Sequence, residues 1–288
     1  MTLVNVHREL PALKNILLNN PRIIDETSRD HDLRIGLLNL MPTKPVTEEQ
    51  FLRLLGDNDY KCQLDFIRIA SYKSKNVDEE YLEKFYKDFS EIQTEKYDGF
   101  IITGAPVEKL AFDEVKYWEK LKEIFAWIKE KNIPTIYICW GAQAGLYHHY
   151  GIDKELYEEK IFGVYDHQIK TSNPLFEGIA STIAIPQSRY TGIDVEKLNK
   201  DGKLIAVDIN PEIGASIFTS SDNKEIFILG HLEYDTNTLE IEYLRDKDKG
   251  LDTKEPLCYY LNGKINNRWK EPAKVFYKNW INFLANNK

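Results

Sequence analysis

The amino-acid sequence predicts an α/β fold in which a mostly parallel central sheet is covered by helices on both faces. Through the first half of the chain, apolar runs of strand length alternate with amphipathic stretches of helical length. Four such β-α units in succession imply a parallel sheet between two helical layers. After Gly151 the apolar runs are shorter and more closely spaced, which favours added antiparallel strands in the C-terminal half.

The first unit begins with a strand from Leu33 to Leu40, which Pro42 ends. This run is almost entirely apolar, as expected for a strand that is buried on both faces. The segment Thr47-Glu48-Glu49-Gln50 has the pattern of a capping box and precedes apolar residues at helical spacing. The first helix is therefore expected to start near Thr47.

The same patterns place the later elements. Strands are expected at Leu64–Ile69, Gly99–Thr103 and Ile133–Cys139, and helices at Val77–Phe89, Val115–Lys131 and from Cys139 to about Tyr150. The C-terminal half predicts shorter strands at Ile161–Tyr165, Thr182–Ile185, Leu204–Val207 and Ala215–Thr219, then a strand at Glu225–Gly230 that rejoins the main sheet, and a helix at Thr238–Asp246.

No linker, repeat or low-complexity tract divides the chain, so residues 33–288 are expected to form a single domain. Residues 1–32 are expected to form an N-terminal extension that packs on this domain or on a second subunit. A chain of 288 residues can bury about three quarters of its unfolded surface.

Composition excludes several classes of function. The formal charge of −8 argues against a nucleic-acid partner. No segment approaches the roughly 20 apolar residues of a membrane helix, and the N-terminus lacks a secretory signal, so a soluble cytoplasmic protein is expected. Cys62, Cys139 and Cys258 are too few and too scattered for a disulfide framework or a Cys-x-x-Cys metal site. We therefore expect free thiols, no metal and no bound cofactor.

Cys139 ends an apolar strand, and the small residues Gly141 and Ala142 follow it. This pattern predicts a strand, a sharp turn and a helix whose first N–H groups favour a thiolate. Parallel sheets bind ligands beyond the carboxyl ends of their strands, where Lys44, Gly104 and Cys139 are expected. Position alone nevertheless favours the alternative that Cys139 is a small buried hydrophobe.

A thiolate nucleophile needs a base, and the base needs a group that orients it. His231 directly follows the strand at Glu225–Gly230, and Glu233 lies two residues further on. In an extended chain this spacing places both side chains on the same side. A His-x-Glu pair alone is more often a solvated strand end, but here it follows the nucleophile turn in the order that a Cys-His-Glu triad requires.

Longer segments carry a family resemblance. They are Leu38-Asn39-Leu40-Met41-Pro42, Gln50-Phe51-Leu52-Arg53-Leu54-Leu55, Thr103-Gly104-Ala105-Pro106, Ile138-Cys139-Trp140 and Gly230-His231-Leu232-Glu233-Tyr234-Asp235. The chain resembles the class I glutamine amidotransferase-like superfamily, which has a flavodoxin-like three-layer sandwich. From about residue 8 to residue 285 it is more similar to the homoserine O-acyltransferases of methionine biosynthesis, the MetA family. Tyr137 stands where amidotransferases typically have glycine, which argues against glutamine hydrolysis.

The resemblance implies that an acyl group passes from acyl-coenzyme A to the hydroxyl of L-homoserine through a thioester on Cys139. His231 would be the general base and Glu233 its partner, with ping-pong kinetics and a homodimer. The N–H groups of Trp140, Gly104 and Ala105 would stabilise the oxyanion, each contributing about 3 kcal/mol.

Further residues are assigned by the resemblance alone. Lys44 matches an active-site lysine of the family, although a solvated loop lysine is the alternative. Lys160, Ser188 and Arg245 match the residues that bind homoserine, and Arg245 suits the carboxylate of that substrate. Without the family, Arg245 would be read as a surface residue of a charged helix.

Glu108 is expected to determine the acyl donor. The resemblance associates glycine at this position with succinyl transfer and glutamate with acetyl transfer. A glutamate fills the pocket and repels a second carboxylate, which predicts acetyl-coenzyme A as co-substrate. The alternatives are a homoserine O-succinyltransferase, a glutamine amidotransferase-type hydrolase and a binding module in which Cys139 is structural.

Overall fold

The computed structural model describes residues 3–7, 9–17, 24–25, 31–69, 77–194 and 202–288. Within these residues the β structure consists of a central sheet of ten strands, a smaller sheet of three strands and a two-stranded sheet. In chain order the strands are β1 (Leu3–Val6), β2 (Ile24–Asp25), β3 (Leu33–Leu38), β4 (Lys61–Arg68), β5 (Tyr86–Asp88), β6 (Gly99–Ile102), β7 (Thr135–Ile138), β8 (Lys154–Ile169), β9 (Thr182–Ile193), β10 (Leu204–Ala206), β11 (Asp208–Ile209), β12 (Ile217–Ser220), β13 (Glu225–Ile228), and the short hairpin β14 (Tyr260–Leu261) and β15 (Lys264–Ile265).

The central sheet has the order β10-β12-β13-β7-β6-β3-β4-β1-β2, and β5 also pairs with β4. All neighbours are parallel except β10 with β12 and β12 with β13. The inner order β4-β3-β6-β7-β13 is the 2-1-3-4-5 order of flavodoxin-like sheets. The predicted fold class, including the added antiparallel strands, is therefore confirmed.

Helices cover both faces of the sheet. They are α1 (Ala12–Leu17), α2 (Lys44–Leu55), α3 (Glu79–Phe85), α4 (Phe89–Ile92), α5 (Trp118–Glu130), α6 (Trp140–Tyr150), α7 (Thr238–Asp248) and α8 (Lys270–Asn286). One core contains Phe51 of α2 and Trp280 of α8, and the opposite core contains Phe125 of α5 and Leu146 of α6. No helix in the described part of the chain is long and apolar enough to cross a membrane.

Helix α2 begins at Lys44, so the predicted start near Thr47 is wrong. Pro45 stands in the first turn, where its restricted φ angle is already helical and its missing N–H costs nothing. The hydroxyl of Thr47 lies 3.5 Å from the carbonyl oxygen of Thr43 and does not cap the helix. The capping-box pattern therefore falls inside the first turn.

The helix predicted at Val77–Phe89 is interrupted. Helix α3 ends at Phe85, β5 pairs with β4, and α4 begins at Phe89. Asp88 and Glu91 form a capping box that starts α4 afresh. The helix predicted from Val115 begins instead at Trp118, because a 3₁₀ turn at Phe112–Glu114 precedes it.

The strands β8 and β9 form an antiparallel hairpin that extends well beyond the predicted segments Ile161–Tyr165 and Thr182–Ile185. The first half of β8 is rich in exposed charged residues, so it lacks the apolar pattern of a strand. Helix α8 was not predicted from the sequence, although its residues Phe276, Trp280 and Leu284 recur every four residues and are buried. The strands β1 and β2 at the edge of the central sheet were not predicted either.

Candidate active site

Cys139 occupies a strained turn between β7 and α6. Its φ of 52° and ψ of −118° lie outside the regions that non-glycine residues prefer, at a cost of about 1–3 kcal/mol. The backbone N–H of Cys139 donates to the carbonyl of Ile228 at 2.7 Å, which continues the pairing of β7 with β13. The side chain is therefore presented at the carboxyl edge of the sheet, as predicted for a nucleophile.

Two glycines allow the backbone to approach this turn closely. A Cβ atom on Gly104 would lie 3.1 Å from Cβ and 3.6 Å from Sγ of Cys139. A Cβ atom on Gly141 would lie 2.6 Å from the carbonyl oxygen of Thr103. The end of β6 and the start of α6 thus border the sulfur, and the N–H groups of Gly104, Ala105 and Trp140 remain predicted oxyanion donors.

His231 and Glu233 are both buried, at 4% and 6% exposure, so the alternative of a solvated strand end is wrong. Nδ1 of His231 lies 2.6 Å from Oε1 of Glu233. The pair forms because the chain turns after Gly230, and not through the extended geometry expected from the spacing. The ring of Tyr234 stacks on the imidazole with centroids 4.1 Å apart.

The surroundings of His231 favour the imidazolium. Burial lowers the pKa of His231, but the Glu233 carboxylate and Cys139 both raise it through charge and hydrogen bonding, and the pKa lies well above its ordinary value. Since Nδ1 faces Glu233, Nε2 is the atom left for the hydrogen bond with Cys139. The structure therefore brings Cys139, His231 and Glu233 together in the geometry of a triad.

In Glu233→Gln, we expect the pKa of His231 to fall, because a neutral amide no longer stabilises the imidazolium. NMR titration of the ¹⁵N-labelled histidine rings measures this pKa. Glu271→Gln is the control, because Glu271 is exposed at the start of α8. Equal titration of His231 in the two variants would contradict the pairing.

The same pair has a predicted effect on stability. The folded-state pKa of His231 lies above the unfolded value of about 6.5. The raised pKa of His231 then adds to the free energy of unfolding in full below about pH 6.5, and this contribution is lost as the pH rises through the folded-state pKa. Urea unfolding should therefore show Glu233→Gln destabilised by about 2 kcal/mol at pH 6, with a smaller deficit at alkaline pH.

Lys44 is buried, at 7% exposure, so the alternative of a solvated loop lysine is wrong. Its ammonium donates to the carbonyl of Asn39 at 2.6 Å and lies 5.2 Å from the centre of the Tyr86 ring. Burial lowers the pKa of Lys44 to about 8, although Glu48 opposes the shift. Lys44 thus supplies a cation at the end of β3, and its support of the oxyanion stays a prediction.

The three predicted homoserine-binding residues meet at two acidic residues of α7. Lys160 Nζ lies 3.1 Å from Oδ2 of Asp246 and 4.0 Å from Oε2 of Glu242. Ser188 donates to Oε2 of Glu242 at 2.5 Å. Arg245 Nη2 donates to Oδ1 of Asp246 at 2.7 Å, and its side chain remains half exposed. The cluster combines cations, a hydroxyl and carboxylates, which suits a zwitterion.

Tyr234 joins this cluster to the triad. Its hydroxyl donates to Oε1 of Glu242 at 2.7 Å, while its ring stacks on His231. Tyr234, Glu242 and Asp246 were not among the predicted site residues. The four-residue spacing of Glu242 and Asp246 on one helix face was a signal in the sequence, although charged residues on α7 also suit a solvated surface.

Strand β9 adds a buried polar row that no sequence pattern singled out. Gln187, Arg189 and Thr191 alternate along one face of the strand and are completely buried. Nε of Arg189 donates to Oε1 of Gln187 at 2.8 Å, and Nη1 donates to the carbonyl of Thr191. Burial lowers the pKa of Arg189. Alternating polar residues normally indicate the solvent face of a strand, so periodicity alone pointed away from this row.

A second buried histidine-carboxylate pair lies in the smaller sheet. Nδ1 of His167 lies 2.7 Å from Oδ2 of Asp208, and Nε2 lies 3.5 Å from Oγ of Ser216. All three side chains are completely or almost completely buried, so this pair lacks access for a substrate. Among the described residues, no group of three or more histidine, cysteine or acidic side chains is arranged to hold a metal ion.

Known proteins resemble this chain over nearly its whole length. A model of the homoserine O-succinyltransferase family matches residues 3–288. The chain is 42% identical to a homoserine O-acetyltransferase of Clostridium beijerinckii and 42% identical to one of Bacillus subtilis, covering 98% of this chain and 96% of each relative. A solved glutamine amidotransferase from Thermotoga maritima superposes with a TM-score of 0.62 at 14% identity, covering 88% of this chain and 99% of that one. This last likeness concerns the fold alone.

Proposed function

This chain belongs to the homoserine O-acyltransferase family, and we propose that it is a homoserine O-acetyltransferase that works through a thioester on Cys139. The observation that carries the proposal is the contact of a buried His231–Glu233 pair with a cysteine on a strained turn. The relatives that are named homoserine O-acetyltransferase support acetyl-coenzyme A as the acyl donor.

In the first half-reaction, the Cys139 thiolate attacks the thioester carbonyl of acetyl-coenzyme A. The resulting oxyanion is stabilised by the N–H groups of Trp140 and of the Gly104 loop. When the intermediate collapses, the bond to coenzyme A breaks and the departing thiolate takes the proton of the His231 imidazolium. Cys139 then carries the acetyl group, and the imidazole is neutral.

In the second half-reaction, homoserine replaces coenzyme A. Neutral His231 accepts the proton of the homoserine hydroxyl as the oxygen attacks the acetyl-Cys139 carbonyl. Collapse releases O-acetyl-L-homoserine and restores the thiolate beside the imidazolium. Glu233 stabilises the charge of the imidazolium in both halves, and its hydrogen bond to Nδ1 keeps Nε2 directed at the reacting atoms.

The α7 cluster is proposed to bind the amino-acid part of homoserine. Arg245 is suited to the carboxylate, because its side chain is half exposed and its fork-shaped donors match two oxygens. Lys160 and Ser188 supply further donors, and Glu242 offers an acceptor to the ammonium group. Tyr234 links this cluster to His231, because its hydroxyl bonds to Glu242 and its ring stacks on the imidazole.

Side-by-side assays of homoserine with acetyl- and succinyl-coenzyme A test the proposed function. Acetyl transfer should exceed succinyl transfer, and glutamine should yield no ammonia. Faster succinyl transfer would support the first alternative, and ammonia release would support the amidotransferase-type hydrolase. We also propose a cytoplasmic homodimer that serves methionine biosynthesis, in which residues 33–288 act as a single domain and β1 and β2 extend its central sheet.

In Glu108→Gly, the ratio of acetyl to succinyl kcat/KM is expected to fall on the order of 10²-fold. The change removes a like charge and opens space for the second carboxylate of succinyl-coenzyme A. Steady-state rates with both donors measure the ratio. Glu108→Gln separates the two causes, because it removes the charge and keeps the volume. A ratio unchanged in Glu108→Gly would refute the assigned role of Glu108.

A further inference from the structure

The carboxylate of Glu108, in the loop after β6, contacts strand β9. Its Oε2 atom accepts the backbone N–H of Tyr190 at 3.0 Å and lies 3.2 Å from Oγ1 of Thr191. The Glu108 side chain is half-buried. The position of this carboxylate therefore depends on two groups of β9.

The hydroxyl of Thr191 is in turn held by Gln143. Oγ1 of Thr191 lies 2.8 Å from Nε2 and 3.0 Å from Oε1 of Gln143, and both side chains are completely buried. A hydroxyl has one proton to donate, so the Gln143 amide can donate to Thr191 while Thr191 donates to Glu108. Gln143 lies one turn after the nucleophile, and its N–H donates to the carbonyl of Cys139 at 3.1 Å. A line of contacts thus connects Cys139 with Glu108.

The carboxylate and the sulfur also share one neighbour. The guanidinium of Arg189, next to Thr191 on the same face of β9, interacts electrostatically with both Cys139 and Glu108. Gly104, four residues before Glu108, lies against the side chain of Cys139. The loop that carries Glu108 therefore begins beside the side chain of Cys139.

We propose that Thr191 and Gln143 determine acyl-donor specificity by holding the Glu108 carboxylate beside the acyl site, an inference that rests on the proposed function. A fixed carboxylate repels the free carboxylate of a dicarboxylic acyl donor at short range, whereas a carboxylate without these contacts can turn towards solvent. Thr191 and Gln143 act through Glu108, and they are therefore positioning residues.

In Thr191→Val, which keeps the volume and removes the hydroxyl, the ratio of acetyl to succinyl kcat/KM is expected to fall by about tenfold. Thr191→Ser restores the hydroxyl and should restore most of the ratio. Both donors are assayed with homoserine, and circular dichroism verifies folding. If Thr191→Val does not fold, Gln143→Met tests the same contact from its other side, with the same expected fall.

Thr219→Val is the matched control. Thr219 is also completely buried in a strand, and its hydroxyl has no hydrogen-bond partner among the described residues. The decisive comparison repeats Thr191→Val in a Glu108→Gly background, where the substitution should leave the donor ratio unchanged.

A wild-type ratio in Thr191→Val, or a fall of equal size with and without Glu108, would overturn the inference. The proposed function fails separately, if the wild-type protein transfers neither acyl group to homoserine.

Discussion

Cys139→Ser should lower the turnover of homoserine and acetyl-coenzyme A by at least about 10³-fold. A serine hydroxyl at the strained turn is a weaker nucleophile than a cysteine sulfur, and the His231 imidazolium is a poor base for a hydroxyl. Acid-quenched intact-mass analysis gives a direct measurement. Wild-type protein incubated with acetyl-coenzyme A alone should gain the mass of one acetyl group, and Cys139→Ser should gain none.

The other two cysteines provide controls for this experiment. Cys258 is exposed, so Cys258→Ser should keep both turnover and the acetyl adduct. Cys62 is buried, and burial raises the pKa of its thiol to about 12, which keeps it protonated and unreactive. An adduct that persists in Cys139→Ser would mean that another side chain is the nucleophile.

His231→Asn should lower kcat by about 10²- to 10⁴-fold, because the proposed mechanism uses proton transfer by His231 in both half-reactions. Asparagine can still donate a hydrogen bond to Glu233, but it cannot exchange a proton with coenzyme A or homoserine. Single-turnover measurements separate the two steps. Formation of acetyl-Cys139 and its consumption by homoserine should both slow.

His167→Asn is the matched control, because His167 is also buried against a carboxylate. This change should destabilise the protein by about 1–3 kcal/mol, since it leaves Asp208 with one partner fewer. Transfer of the acetyl group should stay within a factor of a few of wild type at a temperature where both variants are folded. Equal losses of kcat in the two histidine variants would show that His231 acts through stability and not through chemistry.

The shared position of Cys139 and His231 could be predicted because Cys139 directly follows β7 and His231 comes three residues after the end of β13. In a parallel sheet, the residue after a strand lies at the carboxyl edge, whatever the details of the loop. Cys139 and His231 follow β7 and β13, and these strands are neighbours in register, with Ile138 opposite Ile228. Local apolar patterns were therefore sufficient to bring both residues to one edge.

Element boundaries depended on competing local preferences. The first turn of α2 contains both Pro45 and a capping-box pattern at Thr47, and the proline determined the start. In the segment from Val77 to Phe89, helical spacing competed with a three-residue pairing of β5 on β4. Such preferences differ by about 1 kcal/mol or less, so contacts with the rest of the fold decide between them.

The sequence by itself determined the α/β class, the sharp turn at Cys139 and the histidine and glutamate expected beside it, because these depend on short-range patterns along the chain. Only the tertiary structure decided how the predicted substrate-binding and specificity residues meet their partners. Lys160 reaches Asp246 across 86 residues, and Glu108 reaches Thr191 across 83. These contacts arise because the β8–β9 hairpin packs against α7 on one side and the Gly104 loop on the other. Burial of charged groups against distant partners leaves no periodic signal in the sequence.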